Sequence, residues 1–248
     1  MLILQLKEKK IMNDTFQIFL PGGFKQFRIL KSKYILDGKS VLVIGAGSEH
    51  VAEKILDAGA TSVQMIVDDY DSLLNSRLNL SKTSKVQIKI MESENTDFGS
   101  GEFDLIYSQA SISTIKRNKI LKEIKRILKP DGSFCVSEIT TLQTKYPPFV
   151  KDIFDSSGII PILHKEIDNF YTEKKFNIKY EEDISSSLRS FYESTIDLLK
   201  QNISSLNENE KSYYKKLLNK LSHESNAYLN LGADKYIGLK LLILQKNN

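Results

Sequence analysis

From residue 40 to about residue 140, short apolar runs alternate with stretches whose apolar side chains recur every three or four positions. Ser40–Ile44 predicts a fully buried strand, and Glu49–Ala58 a helix closed by Gly59. Strands are expected again at Ser62–Val67, Val86–Met91, Phe103–Ser108 and Ser133–Glu138. Helices are expected at Asp71–Leu80 and at Lys116–Leu128, the latter stopped by Pro130. Strands separated by helices of this length mean βαβ units, hence a doubly wound α/β fold with a mostly parallel sheet and flanking helices. Ahead of it, Phe16–Leu20 is apolar, Pro21-Gly22-Gly23 reads as a turn, and Phe24–Leu36 as a helix.

The rhythm changes after residue 140. Tyr146-Pro147-Pro148 opens an irregular stretch, followed by a helix near His164–Lys174 and a strand near Phe176–Glu181. Two long amphipathic helices come next. The first sets Leu188, Phe191, Tyr192, Thr195 and Leu199 on one face, and the second Tyr213, Tyr214, Leu217, Leu218 and Leu221. Asn207 and Glu210 are spaced as a capping box for the second helix. A final strand is expected at Tyr236–Leu244. The chain therefore divides into an arm and helix (1–37), a ligand-binding core (38–140) and a C-terminal part (141–248). In the last, helices over about 185–232 form a cap inserted before the final strand.

Composition narrows the function. The 248 residues are 41% hydrophobic and 27% charged, enough to bury a core, so disordered and fibrous classes drop out. Cys135 stands alone, which leaves no disulfide framework and points to a reducing, cytoplasmic setting. Three histidines and one thiol offer no metal-ligand spacing, and no metal is expected. The longest apolar runs are too short to span a bilayer, so no membrane association is expected. Net charge is only +4, and lysine far outnumbers arginine, the usual reader of phosphates and bases. That disfavours a nucleic-acid partner. The basic helix around Lys116, Arg117, Lys119 and Lys122 reads as a solvated face, interrupted as it is by Glu123. The cap helices leave pairing between copies of the chain open.

Ligands of such sheets bind beyond the carboxyl ends of the strands. The loop after the first strand, Gly45-Ala46-Gly47-Ser48-Glu49-His50, is a tight glycine turn that lets a ribose or phosphate approach bare backbone. A dinucleotide fingerprint needs glycine where His50 stands, and a methyltransferase loop needs it where Glu49 stands. The second strand ends in Asp68-Asp69, where a carboxylate can accept hydrogen bonds from both ribose hydroxyls. That placement suits a nicotinamide dinucleotide and S-adenosylmethionine (SAM) equally. One of the two aspartates can instead cap the following helix.

The block Phe103-Asp-Leu-Ile-Tyr107-Ser108, followed by a helix running into Leu128-Lys-Pro-Asp-Gly132, resembles the class I (Rossmann-like, seven-stranded) SAM-dependent methyltransferase superfamily. Met91–Phe98 is similar to the segment that packs around adenine in that family. The Pro-Gly-Gly turn and the helix ahead of the first strand resemble its small-molecule branch. The resemblance implies SAM as cofactor, with Gly45, Ala46 and Gly47 against its methionine and ribose. It puts Asp68, or Asp69, on the ribose hydroxyls, Glu92 or Ser93 at the adenine edge, and Ser108 and Gln109 beneath the sulfonium. The family's acidic residue in the first strand is Val43 here, and Glu49 is expected to supply the missing carboxylate for the methionine ammonium. The activity implied is methyl transfer to a small-molecule acceptor beneath the cap. The alternative is a catalytically inactive relative that senses a ligand or joins an assembly, for which Val43 and Glu49 speak. No catalytic residue is assigned, although His50 and His164 stand as candidate bases. Tyr171, Tyr192, Tyr213, Tyr214 and Tyr228 are candidate walls of an acceptor pocket.

Overall fold

The computed structural model describes residues 20–203, 219 and 221–247. Helix α1 (Lys25–Lys33) precedes β1 (Ser40–Ile44), α2 (Glu49–Asp57), β2 (Ser62–Val67), α3 (Tyr70–Asn79), β3 (Gln87–Ile90) and β4 (Phe103–Gln109). Then follow α4 (Arg117–Ile127), β5 (Leu128–Thr141), α5 (Pro148–Ser156), β6 (Ile162–Leu163), α6 (Ile167–Glu173), β7 (Phe176–Asp183) and α7 (Ser187–Ile203). A helix over 221–230, here α8, leads into β8 (Ile237–Lys246). One sheet runs in the order β3-β2-β1-β4-β5-β8-β7. Strands β1 to β5 pair in parallel, whereas β8 is antiparallel to both β5 and β7.

The alternation read from the sequence is the alternation observed, and β1 and β2 have the predicted limits. Strand β5 departs from expectation. Helix α4 ends at Ile127, and Leu128 already pairs with Phe103 of β4. The chain then leaves the ladder through Lys129-Pro130-Asp131-Gly132, with Asp131 at φ 59°, and rejoins it at Ser133 opposite Leu105. Pro130 therefore sits in a bulge, where its missing N–H costs no ladder hydrogen bond, and does not itself stop the helix. Two further elements fill the stretch expected to be irregular. Helix α5 starts with Pro148 at its first position and buries Val150, Ile153 and Phe154. The two-residue β6 pairs with Thr140 and Thr141, where β5 outruns β4. The capping box at Asn207 and the face carrying Tyr213, Tyr214, Leu217 and Leu218 lie outside the described residues.

Apolar side chains cover both faces of the sheet. On one face Leu30, Val43, Val51, Leu105, Tyr107 and Leu239 belong to a core that includes α1, α2 and the cap. On the other, Leu42, Ile106, Ile124, Phe134, Tyr171 and Leu242 pack with α4 and α6. Strand order reverses between β1, which continues to β2, and β4 on its other side. A crevice opens there at the carboxyl ends of the strands.

Candidate functional site

Gly45 follows β1 with φ +102°, and its N–H donates to Ile66 O at 3.0 Å. A Cβ on Gly45 would stand 2.6 Å from Ser111 Oγ, so the turn accepts only glycine here. Ser111 closes over it from the loop after β4, its hydroxyl 3.1 Å from Ile44 O and 3.0 Å from Gln109 O. At Gly47 (φ +86°) the nearest neighbour of a Cβ would be Leu20, 3.1 Å away. A cavity of about 320 Å³ lies beyond this turn. Its sheet side is formed by Gly45, Ala46, Asp68, Gln109, Ala110 and Ser111. The opposite side is formed by Leu20 and Pro21, by Ile153 and Phe154 of α5, by Phe191 and Tyr192 of α7, and by Glu224 of α8.

The aspartate pair divides its work. Asp69 is the N-cap of α3 and accepts from Ser72 N at 2.7 Å and Ser72 Oγ at 2.8 Å. Asp68 stands at the cavity wall with only a long contact, 3.5 Å, from Ser93 Oγ. Partial burial, reinforced by the negative charge of Glu94, raises its pKa against the lowering effects of Ser93 and Lys116. Such a carboxylate gains by accepting hydrogen bonds from a ligand's hydroxyls. Ser93 is buried and Glu92 exposed, and neither lines the cavity itself.

Other expected site residues face elsewhere. Glu49 is 3% exposed, and its Oε1 accepts from Gly47 N at 2.9 Å and from the Ser76 hydroxyl. It stiffens the glycine loop from inside and does not line the cavity. Ser108 occupies the strand position that alternates away from Tyr107 and Gln109, so its fully buried side chain points to the far side of the sheet. Gln109 does line the cavity, but its amide also holds the turn preceding α1: Nε2 donates to Pro21 O and Gly23 O, both at 2.8 Å. Its Oε1 accepts from Tyr107 OH at 2.5 Å.

Neither candidate base reaches the cavity. His50 pairs with Glu53 at 3.4 Å on the outer side of α2. His164 lies 2.9 Å from Thr140 Oγ1, and burial lowers its pKa despite Asp183 nearby. Of the tyrosines, Tyr192 forms part of the wall, Tyr228 stacks behind it at 4.8 Å, and Tyr171 lies in the core of the opposite face. Tyr213 and Tyr214 fall outside the described residues. Glu224 was not foreseen. Glu224 carried a readable signal, a carboxylate three residues after Leu221 and four before Tyr228 on an otherwise apolar helix face.

Beneath the cavity lies a buried ionic network. Glu138 of β5 is 0% exposed and takes Arg117 Nε at 3.0 Å, Tyr171 OH at 2.6 Å and Ser113 Oγ at 2.6 Å. Arg117 also donates to Ile160 O at 2.5 Å, while Ser113 O accepts from Ile160 N at 2.8 Å. Arg117 is thus no part of a solvated basic stripe; it fixes the segment that places Ile159 in the cavity wall.

A glycine turn of bare backbone, the Asp68 carboxylate after β2 and a crevice where strand order reverses lie together at the carboxyl end of the sheet, beside a cavity walled by α5, α7 and α8. The donor set fits the adenosine part of SAM: Asp68 for the ribose hydroxyls and the Gly45-Ala46 backbone for close approach. Residues 42–136 match the family described as "Methyltransferase domain". Over those residues the chain is similar to SAM-dependent methyltransferases, and SAM is the cofactor of that family. The eEF1A lysine and N-terminal methyltransferase of Xenopus laevis is 25% identical over 128 residues, which are 47% of this chain and 18% of that protein. This chain thus spans under a fifth of that relative. Among solved structures, the cyclase SpnF superposes with a TM-score of 0.71 at 17% identity, over 90% of this chain and 80% of that one. Haemonchus contortus phosphoethanolamine N-methyltransferase 2 in complex with SAM gives 0.72 at 17% identity, over 92% and 54%. At these identities the structural likenesses establish the fold. None of the comparisons supports the catalytically inactive alternative.

Proposed function

We propose that the protein transfers a methyl group from SAM to a small molecule enclosed by α5, α7 and α8. The observation that carries this reading is the continuity of one cavity from Gly45, Ala46 and Asp68 to the apolar wall of Phe154, Phe191 and Tyr192. SAM brings a methyl already activated on a sulfonium, so the protein's task is to bind, orient and exclude water. Asp68 holds the ribose hydroxyls, the glycine turn accepts the methionine part, and Gln109 ties the covering Pro21–Gly23 turn to the floor. The apolar cap keeps water from the reacting atoms. The mixed wall, mostly hydrophobic with few polar groups, is that of a small-molecule site.

The test is thermal unfolding with SAM, S-adenosylhomocysteine or NADH. A ligand at a hundred times its dissociation constant adds about 2.7 kcal/mol. Stabilisation by the two sulfur compounds and not by NADH is expected. Stabilisation by NADH alone, or by none of the three, refutes the reading.

A further inference from the structure

The cavity is acidic. Its only formal charges among the described residues are Asp68 and Glu224; no lysine, arginine or histidine lines it. Asp68 belongs to the cofactor end, which leaves Glu224 as the single charge in the compartment under the cap. Ser157 Oγ of the α5 end donates to Glu224 Oε1 at 2.8 Å and fixes the carboxylate between α5 and α8. No cationic side chain pairs with it among the described residues. Beside it stands Tyr192, itself against Phe191 at 5.1 Å and Tyr228 at 4.8 Å. Glu224 is near enough that its charge, after burial, helps raise the pKa of the Tyr192 phenol.

A fixed carboxylate beside aromatic rings attracts a cation and repels an anion. We propose that the methyl acceptor is an amine with an apolar body, its nitrogen held by Glu224. A phosphorylated or carboxylated acceptor finds no counter-charge among the described residues. This rests on the methyl-transfer reading above. The amine binds as its ammonium and gives one proton to solvent; the neutral nitrogen's lone pair then forms the new N–C bond, the S–C bond breaks with its electron pair left on sulfur, and positive charge passes to nitrogen. Glu224 accepts a hydrogen bond from that nitrogen's N–H and faces the charge as it develops.

Calorimetric titration of the full chain tests this with three probes alike in body and different in head: phenethylamine, phenethyl alcohol and hydrocinnamate. Each is added to the protein alone and to its complex with S-adenosylhomocysteine. Phenethylamine is expected to bind the complex at least about tenfold more tightly than the alcohol, the scale of one charged hydrogen bond. Hydrocinnamate is expected to bind weakest. Glu224→Gln should erase the amine preference while leaving S-adenosylhomocysteine affinity intact, and Glu224→Asp should restore part of it. Equal binding of amine and alcohol, or tightest binding of hydrocinnamate, overturns the inference and leaves the cofactor reading standing. If Glu224→Gln weakens S-adenosylhomocysteine itself, Glu224 serves the cofactor's ammonium and the inference also falls. If S-adenosylhomocysteine fails to bind, the methyl-transfer reading falls separately. The amine preference is then read on the protein alone, where its absence overturns the inference.

Discussion

Glu138→Ala removes the centre of the network beneath the cavity. The side chain is 0% exposed and serves three partners: Arg117 at 3.0 Å, Tyr171 OH and Ser113 Oγ, each of the latter at 2.6 Å. Truncation leaves Arg117, 8% exposed in its side chain, as an uncompensated buried cation. Breaking a buried pair from one side costs about 3–5 kcal/mol. For a chain of this size each kcal/mol moves Tm by about 2–4 °C, so a fall of roughly 10 °C is expected in calorimetric or circular-dichroism melts. The paired change Arg117→Met with Glu138→Leu removes both charges and fills the space with apolar side chains. It should recover about 2 kcal/mol relative to the summed single variants, because the penalty of the unpaired ion disappears. A Glu138→Ala melt within two or three degrees of wild type, or a double variant equal to that sum, refutes the assignment.

Three further outcomes are expected. Gly45→Ala, forced to a φ of +102° and against Ser111, should lose S-adenosylhomocysteine binding in calorimetry, and adding Ser111→Gly should restore only the steric share. Asp68→Asn should weaken S-adenosylhomocysteine by about tenfold or more; because the raised pKa of Asp68 means its ionised form is disfavoured in the fold, the same variant should melt above wild type without ligand at neutral pH. The Arg126 guanidinium, with Thr96, holds Glu123 at about 2. A lowered carboxyl pKa contributes stability above the unfolded value near 4.5, lost as pH falls toward 2; Glu123→Gln should therefore flatten the melting-temperature profile across that window.

Much of the core was legible because period alone sets it. Val41–Ile44 and Met65–Val67 are continuous apolar runs within β1 and β2, as strands buried on both faces use. The Asp68-Asp69 division was legible as two available roles, since capping is local chemistry. What escaped the sequence was long-range. Whether Glu49 faces a ligand or its own loop depends on Ser76, a helix away on α3. Arg117 looked like one more lysine-rich surface position until Glu138 was brought to it from β5. Pro130 signalled a helix stop, yet the ladder with β4 had already claimed Leu128. Ser108 and Gln109 are neighbours in sequence, but the pleat sends them to opposite sides of the sheet.

Strand β8 lies inside the sheet, between β5 and β7, yet it comes after both of them and after the helices over the cavity. During synthesis, β5 therefore emerges with the edge opposite β4 unpaired, and β7 has no partner until residues 237–246 arrive. Closure of the wall around the cavity and completion of the sheet are consequently one late event. A nascent chain paused before β8 would expose a long unpaired strand edge at Ser133–Thr141, the natural target for a chaperone and the natural seed for aggregation.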